Sequence, residues 1–308
     1  MNLDSILYPV NGFKIHVLKK DVDGDPLSCQ GEIIKTIDYC INGICLNTSL
    51  VFADPFLFVS KGFLFLFYEE EKFRGKGFLA MTKTKDLKHW SKPTTVLKED
   101  FHLSFPFVFE DHGQVWMVPE SGHDNSIRLY MASEELTRFE FVTKLLEGKE
   151  YVDSSIVYKD GRYFLFTTEK NDQYKYSQRL FVSESLVGPY NEHPSSPIYN
   201  GGKYGRNAGS ILKHKDSLFR STQDCTGGYG NNVSFLRIIE MTPFQYKEEL
   251  YKEDVLDTSS PFYTEGGHQY NFVKFNNSII IATDAHYLSR KPNLGVIVQR
   301  ILRIMSIR

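Results

Sequence analysis

Five stretches of the chain share one pattern of apolar and polar positions. Each consists of an apolar run, a short polar break and a second apolar run, and the five align without gaps over 16 residues. The segments are 54–69, 105–120, 153–168, 208–223 and 269–284, so that their starts lie 51, 48, 55 and 61 residues apart. The breaks are Lys-Gly, His-Gly, Asp-Gly, Lys-Asp and Asn-Asn, dipeptides that supply the positive φ of tight hairpin turns. The pattern therefore predicts five β-hairpins.

Further strand-like runs follow the first four hairpins, at 77–82, 127–132, 179–183 and 233–239. About four strands per repeat, at a period of about 50 residues, are typical of β-propeller blades. We therefore predict an all-β fold, a five-bladed β-propeller with about four antiparallel strands per blade, as one domain over residues 1–308. The last blade is expected to use 293–307 for its outer strands, and a strand at 13–18 would complete it across the ring junction. A two-sheet sandwich is the alternative, and the regular four-strand period argues against it.

Composition limits the classes of partner. Aromatic residues make up 14% of the chain, with 24 Phe and 18 Tyr. This content indicates β-strands that pack their aromatic side chains in a hydrophobic core. The net charge of −2 argues against nucleic acid or a membrane surface as a partner. No apolar run is long enough to predict a membrane span, and the N-terminus has no signal-peptide pattern. The four cysteines show no zinc-type spacing, so we expect reduced thiols and a cytoplasmic location.

The alignment also predicts where polar side chains meet. In a propeller the innermost strand of each blade lines the axis and the next strand runs back, so the start of one and the end of the other lie at the same mouth. The catalytic candidates there are Asp54, Glu120 and Asp153. The candidates for substrate binding are Glu69, His102, Ser104, Arg206, Arg220, Gln223, Asp224 and His268. The candidates for stacking on a sugar ring are Tyr68, Trp116 and Tyr229, although packing in the sheet is favoured for Trp116. Ordinary solvated strand ends are the alternative explanation for any single carboxylate.

Three cationic candidates each carry an alternative. Arg220 occupies a column that is apolar in the other four hairpins, so it needs a carboxylate partner, such as Asp224 or Glu169, or a ligand anion. Arg206 precedes a turn of small residues and suits a carboxylate or phosphate, or else it has a structural role. His268 is either a hydrogen-bonded core residue or a group at the axis that orients a carboxylate or coordinates a structural cation. No cofactor is required, and no metal ligands are assigned.

Several strings in order resemble a known family. FADPFLF, DLKHW, HLSFPFVFE, PES, LVGPYNEHP, AGS and STQDC, spread over about residues 45–260, resemble the N-terminal domain of the plant glucosamine inositolphosphorylceramide transferases and related domains in bacterial polysaccharide clusters. The Ala-Asp-Pro start at Asp54 also resembles the five-bladed family 43 glycoside hydrolases. That resemblance implies that Asp54 matches the base of an inverting mechanism and Asp153 the position of the acid. Phe105 stands where the family has an orienting aspartate, and Glu120 is the candidate to replace a missing carboxyl group.

We therefore predict a carbohydrate-active protein with its site at the axial mouth. The expected activity is glycoside hydrolase-like or glycosyl-transferring, on a glycan or sugar nucleotide, in bacterial surface polysaccharide metabolism. Inversion requires two carboxyl groups about 6.5–9.5 Å apart, one of which burial keeps protonated. A non-catalytic module that binds a glycan or sugar nucleotide and partners a separate transferase is the alternative. A purely structural scaffold is the third possibility, and the fold alone does not decide among them.

Overall fold

The computed structural model of the chain describes residues 10–38, 49–72, 75–173 and 175–289. Within these ranges the regular secondary structure consists of β-strands and one turn of 3₁₀-helix at Gly122–Asp124, without an α-helix. The strands, in chain order, are β1 (Val10–Asp21), β2 (Glu32–Ile37), β3 (Ser49–Ser60), β4 (Phe63–Lys72), β5 (Phe78–Thr84), β6 (Thr94–Leu97), β7 (Ser104–Asp111), β8 (Gln114–Glu120), β9 (Ser126–Ala132), β10 (Phe139–Glu147), β11 (Tyr151–Lys159), β12 (Arg162–Asn171), β13 (Lys175–Ser183), β14 (Asn191–Glu192), β15 (Tyr199–Asn200), β16 (Asn207–His214), β17 (Ser217–Gln223), β18 (Val233–Met241), β19 (Tyr246–Lys252), β20 (Tyr270–Phe275) and β21 (Ser278–Ser289). The described part of the chain has no helix that is both long and apolar enough to cross a membrane.

The strands form four sheets. Three of them follow chain order, namely β7 to β10, β11 to β14 with β15 beside β13, and β16 to β19. The fourth has eight strands, because β1 connects the β3–β6 group to the β20–β21 hairpin and also pairs with β2. β1 runs antiparallel to β21 along its length and touches β3 in parallel at Phe13 and Val51. The predicted pairing of the N-terminal strand with the last hairpin is therefore confirmed, while the strands expected at 293–307 lie outside the described residues.

All five predicted hairpins are present as antiparallel pairs: β3–β4, β7–β8, β11–β12, β16–β17 and β20–β21. The first turn residue of each has a φ between 47° and 52°, and these residues are Lys61, His112, Asp160, Lys215 and Asn276. Such left-handed residues match the right-handed twist of the two strands they connect, which ordinary turns do not. The local turn chemistry thus sets the position of each hairpin, as the sequence pattern predicted.

Aromatic side chains fill the spaces between neighbouring sheets. Phe56 on β3 meets Phe105 on β7 with ring centroids 4.9 Å apart, and Phe235 on β18 meets Tyr270 on β20 at 5.0 Å. Trp116 packs partly buried against the same core, as its alignment column predicted. Full burial of one such side chain contributes about 1.5–3 kcal/mol. The packing between sheets therefore fixes the inner strands on which the polar residues lie.

The first aligned column coincides with a β-bulge in three hairpins. Asp54, Phe105 and Asp153 have φ values of 51°, 46° and 51°, and the strand register shifts beside each of them. A bulge leaves one residue out of the ladder and changes the direction of its side chain. Aspartate tolerates the left-handed region better than phenylalanine does, so Phe105 is the strained member of the three. These bulges re-aim the residues from which the candidate site is built.

Candidate active site

His268 lies between two buried carboxylates. Its Nε2 is 3.0 Å from Asp54 Oδ1, and its Nδ1 is 3.1 Å from Asp284 Oδ2. The backbone N–H groups of His268 and Asp54 also donate to Asp284, at 2.8 and 3.2 Å. Burial by itself would lower the pKa of His268, but the charges of Asp284 and Asp54 raise that pKa well above its ordinary value. His268 is therefore an imidazolium that orients Asp54, which is one of the roles predicted for it.

Asp54 is held from both sides. Its second oxygen, Oδ2, accepts a hydrogen bond of 3.0 Å from the backbone N–H of Phe105. The Phe105 bulge, which stands where the resembled family has an aspartate, thus supplies a donor instead of a carboxylate. Only 4% of the surface of Asp54 is exposed. An imidazolium on one oxygen and a backbone N–H on the other therefore hold the Asp54 side chain in a fixed position.

Asp153 forms a buried ion pair with Arg206, whose Nε faces Asp153 Oδ2. Gln223 Nε2 donates to the same oxygen at 3.1 Å. The guanidinium of Arg206 also donates to the hydroxyl oxygen of Tyr176 at 3.0 Å and lies 4.9 Å from the ring centre of Tyr229. Arg206 is thus already engaged by protein groups. The structure brings Arg206 and Gln223 to the catalytic candidates, as predicted, but as partners of Asp153.

Glu120 differs from the other two carboxyl groups in its protonation. Its Oε2 is 3.8 Å from Arg206 Nη2, which is too long for a direct hydrogen bond. Burial, together with the charges of Asp153 and Asp54 and against the opposing charge of Arg206, raises the pKa of Glu120 to about 8. Glu120 therefore keeps its proton at neutral pH beside two carboxylates that face cations. Two acidic groups whose environments push their pKa values apart are the pattern of a paired acid and base.

A second acidic group with a perturbed pKa borders this cluster. Glu69 Oε1 is 3.2 Å from His102 Nε2, and His102 Nδ1 accepts a hydrogen bond of 3.0 Å from the backbone N–H of Gly77. Burial, together with the charge of Asp54 and against the opposing effect of His102, raises the pKa of Glu69 to about 7. The structure thus brings Glu69 and His102 together as a pair, electrostatically coupled to Asp54.

Of the remaining predicted residues, two lie at the cluster. Ser104 is buried at the start of β7, directly opposite Glu120 in the β7–β8 ladder. Tyr229 is 41% exposed, and its ring centre is 4.9 Å from that of His268. Tyr68, in contrast, is fully buried in the hydrophobic core. Among the three aromatic candidates, Tyr229 is the one whose ring lies over the charged groups.

Arg220 lies between two sheets instead of joining these carboxylates. Its Nε is 3.0 Å from Glu248 Oε2, and its Nη1 donates to Gln178 Oε1 and to the carbonyl of Tyr204, each at 3.2 Å. The ring of Tyr199 is 5.5 Å from the guanidinium. Arg220 is fully buried, so these contacts satisfy the charge that the alignment predicted to need a partner. These contacts support a structural ion pair for Arg220, and not contact with a ligand anion.

The carboxylates expected to pair with Arg220 are engaged elsewhere, so that part of the prediction was wrong. Asp224 accepts a hydrogen bond of 2.8 Å from the backbone N–H of Thr226 within its own loop. Glu169 pairs with Lys149 at 2.9 Å and with Arg179 at 2.7 Å. Both residues lie one position beyond the aligned segments, and their contacts are local.

We expect Arg220→Met to destabilise the protein by about 3–5 kcal/mol, because it leaves Glu248 charged and buried without a cation. Urea unfolding measures this loss. The double replacement R220M/E248L removes both charges and should recover much of the stability. If R220M left the unfolding free energy unchanged and weakened sugar binding instead, Arg220 would be a ligand contact and our structural assignment would be wrong.

Among the residues that the structure describes, two groups of side chains have the composition of a cation site. The donor atoms of Asp54, His268 and Asp284 lie within 4.8 Å of one another, as do those of Glu69, Glu71 and His102. At the first group a metal ion would have to displace the proton that His268 carries between its two carboxylates. These residues therefore fit a cation in competition with that proton.

An open cavity lies apart from the cluster. It has a volume of about 660 Å³, and Arg162, Val182 and Phe244 are among its lining residues. None of the carboxyl groups described above lines it. We place the candidate site at the cluster, because convergent polar groups and perturbed pKa values mark functional sites more specifically than cavity size does.

Sequence reasoning missed two members of the site. Asp284 closes the fifth hairpin in the same column as Glu69 and Glu120, and this column was the signal that could have identified it. Tyr176, whose hydroxyl accepts from Arg206, lies on β13 outside the aligned hairpins, so no repeat position pointed to it.

Comparison with protein families gives one match that covers most of the chain. The family model described as "Glucosamine inositolphosphorylceramide transferase 1, N-terminal" matches residues 39–277. The rice (Oryza sativa subsp. japonica) glucosamine inositolphosphorylceramide transferase 1 is 35% identical over 207 residues, which are 64% of this chain and 27% of the rice protein. The Arabidopsis thaliana protein of the same name is 33% identical over 207 residues, 26% of its length. The chain thus spans about a quarter of the curated relatives that it matches.

Solved structures with a similar fold are glycoside hydrolases. A mutant of the family 43 protein BlXynB from Bacillus licheniformis superimposes with a TM-score of 0.56 over 81% of this chain and 56% of its own, at 17% identity. An α-L-arabinofuranosidase from Clostridium thermocellum gives a TM-score of 0.53 over 74% and 80%, at 14% identity. At such low identity these likenesses concern the fold alone.

Proposed function

Because the chain belongs to the family of the N-terminal domain of glucosamine inositolphosphorylceramide transferase 1, we propose that it is a carbohydrate-active β-propeller with its site at the cluster around Asp54 and Glu120. The proposed architecture has five blades, one for each hairpin. In it the eight-stranded sheet supplies the first and last blades, which β1 joins at the ring junction. The similarity to family 43 hydrolases supports this architecture.

The proposed reaction is glycosyl transfer with inversion, to water or to a sugar hydroxyl. Asp54 would accept the proton of the attacking hydroxyl as a bond forms between that oxygen and the anomeric carbon. Glu120 would donate its proton to the leaving oxygen as the glycosidic bond breaks. The observation that carries this proposal is Glu120, whose pKa is raised to about 8 in the same cluster as Asp54, which is paired with the imidazolium of His268.

Asp153 and Arg206 have a positioning role in this proposal. Asp153 is already bound by Arg206 and Gln223, so it is poorly suited to give a proton away. Its charge helps to keep Glu120 protonated. We therefore assign the acid to Glu120 and not to Asp153, the two candidates that the sequence left open.

The proposed ligand is a neutral or cationic sugar. The sequence suggested that arginines would recognise a phosphate or carboxylate, but Arg206 pairs with Asp153 and Arg220 with Glu248. The cations of the cluster are thus already paired with carboxyl groups: Arg206 with Asp153, His268 with Asp54 and Asp284, and His102 with Glu69. Such a site leaves none of these cations free to bind an anionic ligand.

A thermal-shift screen tests this ligand class. We expect D-xylose, L-arabinose or D-glucosamine to raise the melting temperature, since a ligand that binds only the folded protein stabilises it by about 2.7 kcal/mol at 100 times its Kd. D-glucuronate and glucose 6-phosphate serve as anionic controls of similar size and should give no shift. Stabilisation by the anions in preference to the neutral sugars would contradict the proposal.

A non-catalytic binding module is the second candidate. The observation in its favour is that the matched segment is only about a quarter of the curated relatives, so the activity in their name belongs to a protein with much additional sequence. In that case the cluster would bind a glycan or sugar nucleotide for a partner transferase. Sugar binding without turnover of any aryl glycoside of the stabilising sugar would favour this candidate.

A further inference from the structure

The carboxylate oxygens of Asp54 are covered in this structure. Oδ1 is buried, 3.0 Å from Nε2 of His268, and Oδ2 accepts a hydrogen bond from the backbone N–H of Phe105. A general base must come within about 2.6–3.2 Å of the group whose proton it accepts. A sugar hydroxyl or a water molecule therefore reaches Asp54 only after some part of the protein has moved away from the cluster.

Tyr229 both contacts the cluster and faces solvent. Its ring centre lies 4.9 Å from the guanidinium carbon of Arg206 and 4.9 Å from the ring centre of His268, while 41% of the residue is exposed. Burial and the charges of the three candidate carboxyl groups raise the pKa of its hydroxyl well above the ordinary value, although Arg206 opposes this shift. The hydroxyl end of Tyr229 thus lies near the carboxyl groups, and the rest of the residue covers them.

Ring contacts hold Tyr229 in this position. They involve Arg206, His268 and Phe13, whose ring centre is 6.1 Å away. The Tyr229 hydroxyl forms no hydrogen bond with a described residue. Ring contacts at partly exposed positions are weak, whereas Arg206 and His268 are both held by buried carboxylates. Tyr229 is therefore the member of this group that can move away most easily.

The loop that carries Tyr229 can move without breaking a strand. Residues 225–230 lie between β17 and β18, outside both strands. Gly227 and Gly230 flank Tyr229 with φ values of 76° and 70°, in the left-handed region that glycine adopts without strain. A Cβ at Gly227 would meet no atom within 4 Å, so the loop has open space on this side. Small residues at the ends of a mobile segment often act as the hinges of a lid.

We propose that residues 225–230 are a lid, and that Tyr229 is a positioning residue that closes over the bound sugar. This inference rests on the proposed function. When the lid opens, the ring of Tyr229 leaves the guanidinium and the imidazolium, and the carboxyl groups become accessible. When the lid closes on a ligand, the ring packs on the sugar and excludes bulk water from Asp54 and Glu120.

Cys225 provides a probe of lid opening that needs no ligand. Cys225 is the first residue of the loop and is half-buried, with its sulfur 3.6 Å from Oε1 of Gln223. The rate at which iodoacetamide alkylates this thiol, followed by mass spectrometry of its peptide, reports how often the lid opens. We expect Tyr229→Ala to raise the rate about 5- to 30-fold, because the contacts of the ring with the guanidinium and the imidazolium are lost. Tyr229→Phe keeps the ring and should stay within about twofold of wild type.

Tyr158→Ala is the matched control. Tyr158 is 55% exposed and its ring centre is 4.8 Å from that of Tyr163, but it lies at the other end of β11 from Asp153. Y158A should leave the alkylation rate of Cys225 unchanged. Saturation with the sugar that most stabilises the wild-type protein in the thermal-shift screen should slow alkylation by about tenfold, because the ligand holds the lid closed.

The outcomes separate the lid from the proposed function. Equal alkylation rates in wild type and Y229A would refute the lid, and so would a wild-type rate as fast as that of the urea-unfolded protein. A sugar that stabilises the wild-type protein but leaves the alkylation rate unchanged would refute closure over the ligand, while the proposed function stands. If no sugar of the screen binds the wild-type protein, the proposed function fails, and with it the role of Tyr229 in positioning a sugar.

Discussion

Replacing Glu120 with glutamine (E120Q) is expected to lower glycosyl turnover by about 100- to 10,000-fold, the range that a positioned acid or base contributes. Glutamine has nearly the same shape and keeps hydrogen-bonding capacity, but it cannot release a proton to the leaving oxygen. Because the protonated wild-type side chain is neutral, E120Q also leaves the charge of the site unchanged at neutral pH. We therefore expect the Kd for the sugar to change little. Turnover of an aryl glycoside and calorimetric binding measure the two effects separately.

The pH dependence of turnover follows from the same side chain. Burial raises the pKa of Glu120 from 4.5 to about 8, with Asp153 and Asp54 adding to the shift and Arg206 opposing it. The acid form is therefore present below about pH 8, and wild-type turnover should fall as the pH rises through that value. E120Q should retain its low activity without this alkaline fall.

Protein stability should change with pH in the same direction. A carboxyl group whose folded pKa lies above its unfolded value contributes stability below the unfolded value, about 4.5, and loses it as the pH rises through about 8. Glu69, whose pKa is raised to about 7, causes a similar loss of stability as the pH rises through that value. The urea midpoint of wild type should therefore fall between about pH 5 and pH 8, and E120Q should remove part of that fall.

Glu169→Gln is the matched control for E120Q. Glu169 lies one position past the column that Glu120 occupies in the second hairpin, and it is paired with Lys149 and Arg179. E169Q should lose some stability and keep both turnover and its alkaline fall. Equal turnover in wild type and E120Q would contradict the assignment of Glu120 as the acid.

The positions of the hairpins were predictable from sequence because their determinants are local. A turn such as Asp160-Gly161 and the apolar runs on either side of it lie within 16 consecutive residues. The same alignment placed Asp54 and Asp153 in one column, and the structure brings both to the cluster. In these cases strand register converts a repeat position into a spatial position.

Partners from distant or outer strands were not predictable in this way. The partner of Arg220, Glu248, lies on β19, and bulges shift the register of β19 against β18, so no aligned column pointed to it. The assignment of acid and base also required the structure. Arg206 is 53 residues from Asp153 in the sequence, and their ion pair is the contact from which we propose Glu120, and not Asp153, as the acid.

Asp54→Asn (D54N) is expected to lower turnover by at least about 100-fold while the sugar remains bound. Asparagine keeps an oxygen that can accept from the backbone N–H of Phe105, so the bulge retains its hydrogen bond. It cannot accept a proton from the attacking hydroxyl, which is the role we assign to Asp54. Turnover and Kd are measured as for E120Q, and urea unfolding reports the stability of the variant.

The contacts of His268 predict how far D54N lowers the stability of the protein, apart from its effect on turnover. His268 keeps Asp284 as its second carboxylate, at 3.1 Å, so the imidazolium loses one of two anions and D54N should unfold earlier without failing to fold. Asp111→Asn is a control of the same chemistry at a distance from the cluster, because Asp111 accepts a hydrogen bond from Tyr163 at 3.0 Å and should affect stability alone. Turnover that survives in folded D54N would remove Asp54 from the mechanism. Loss of sugar binding without a larger loss of turnover would instead make Asp54 a ligand contact, and the cluster would then be the binding site of a module without its own chemistry.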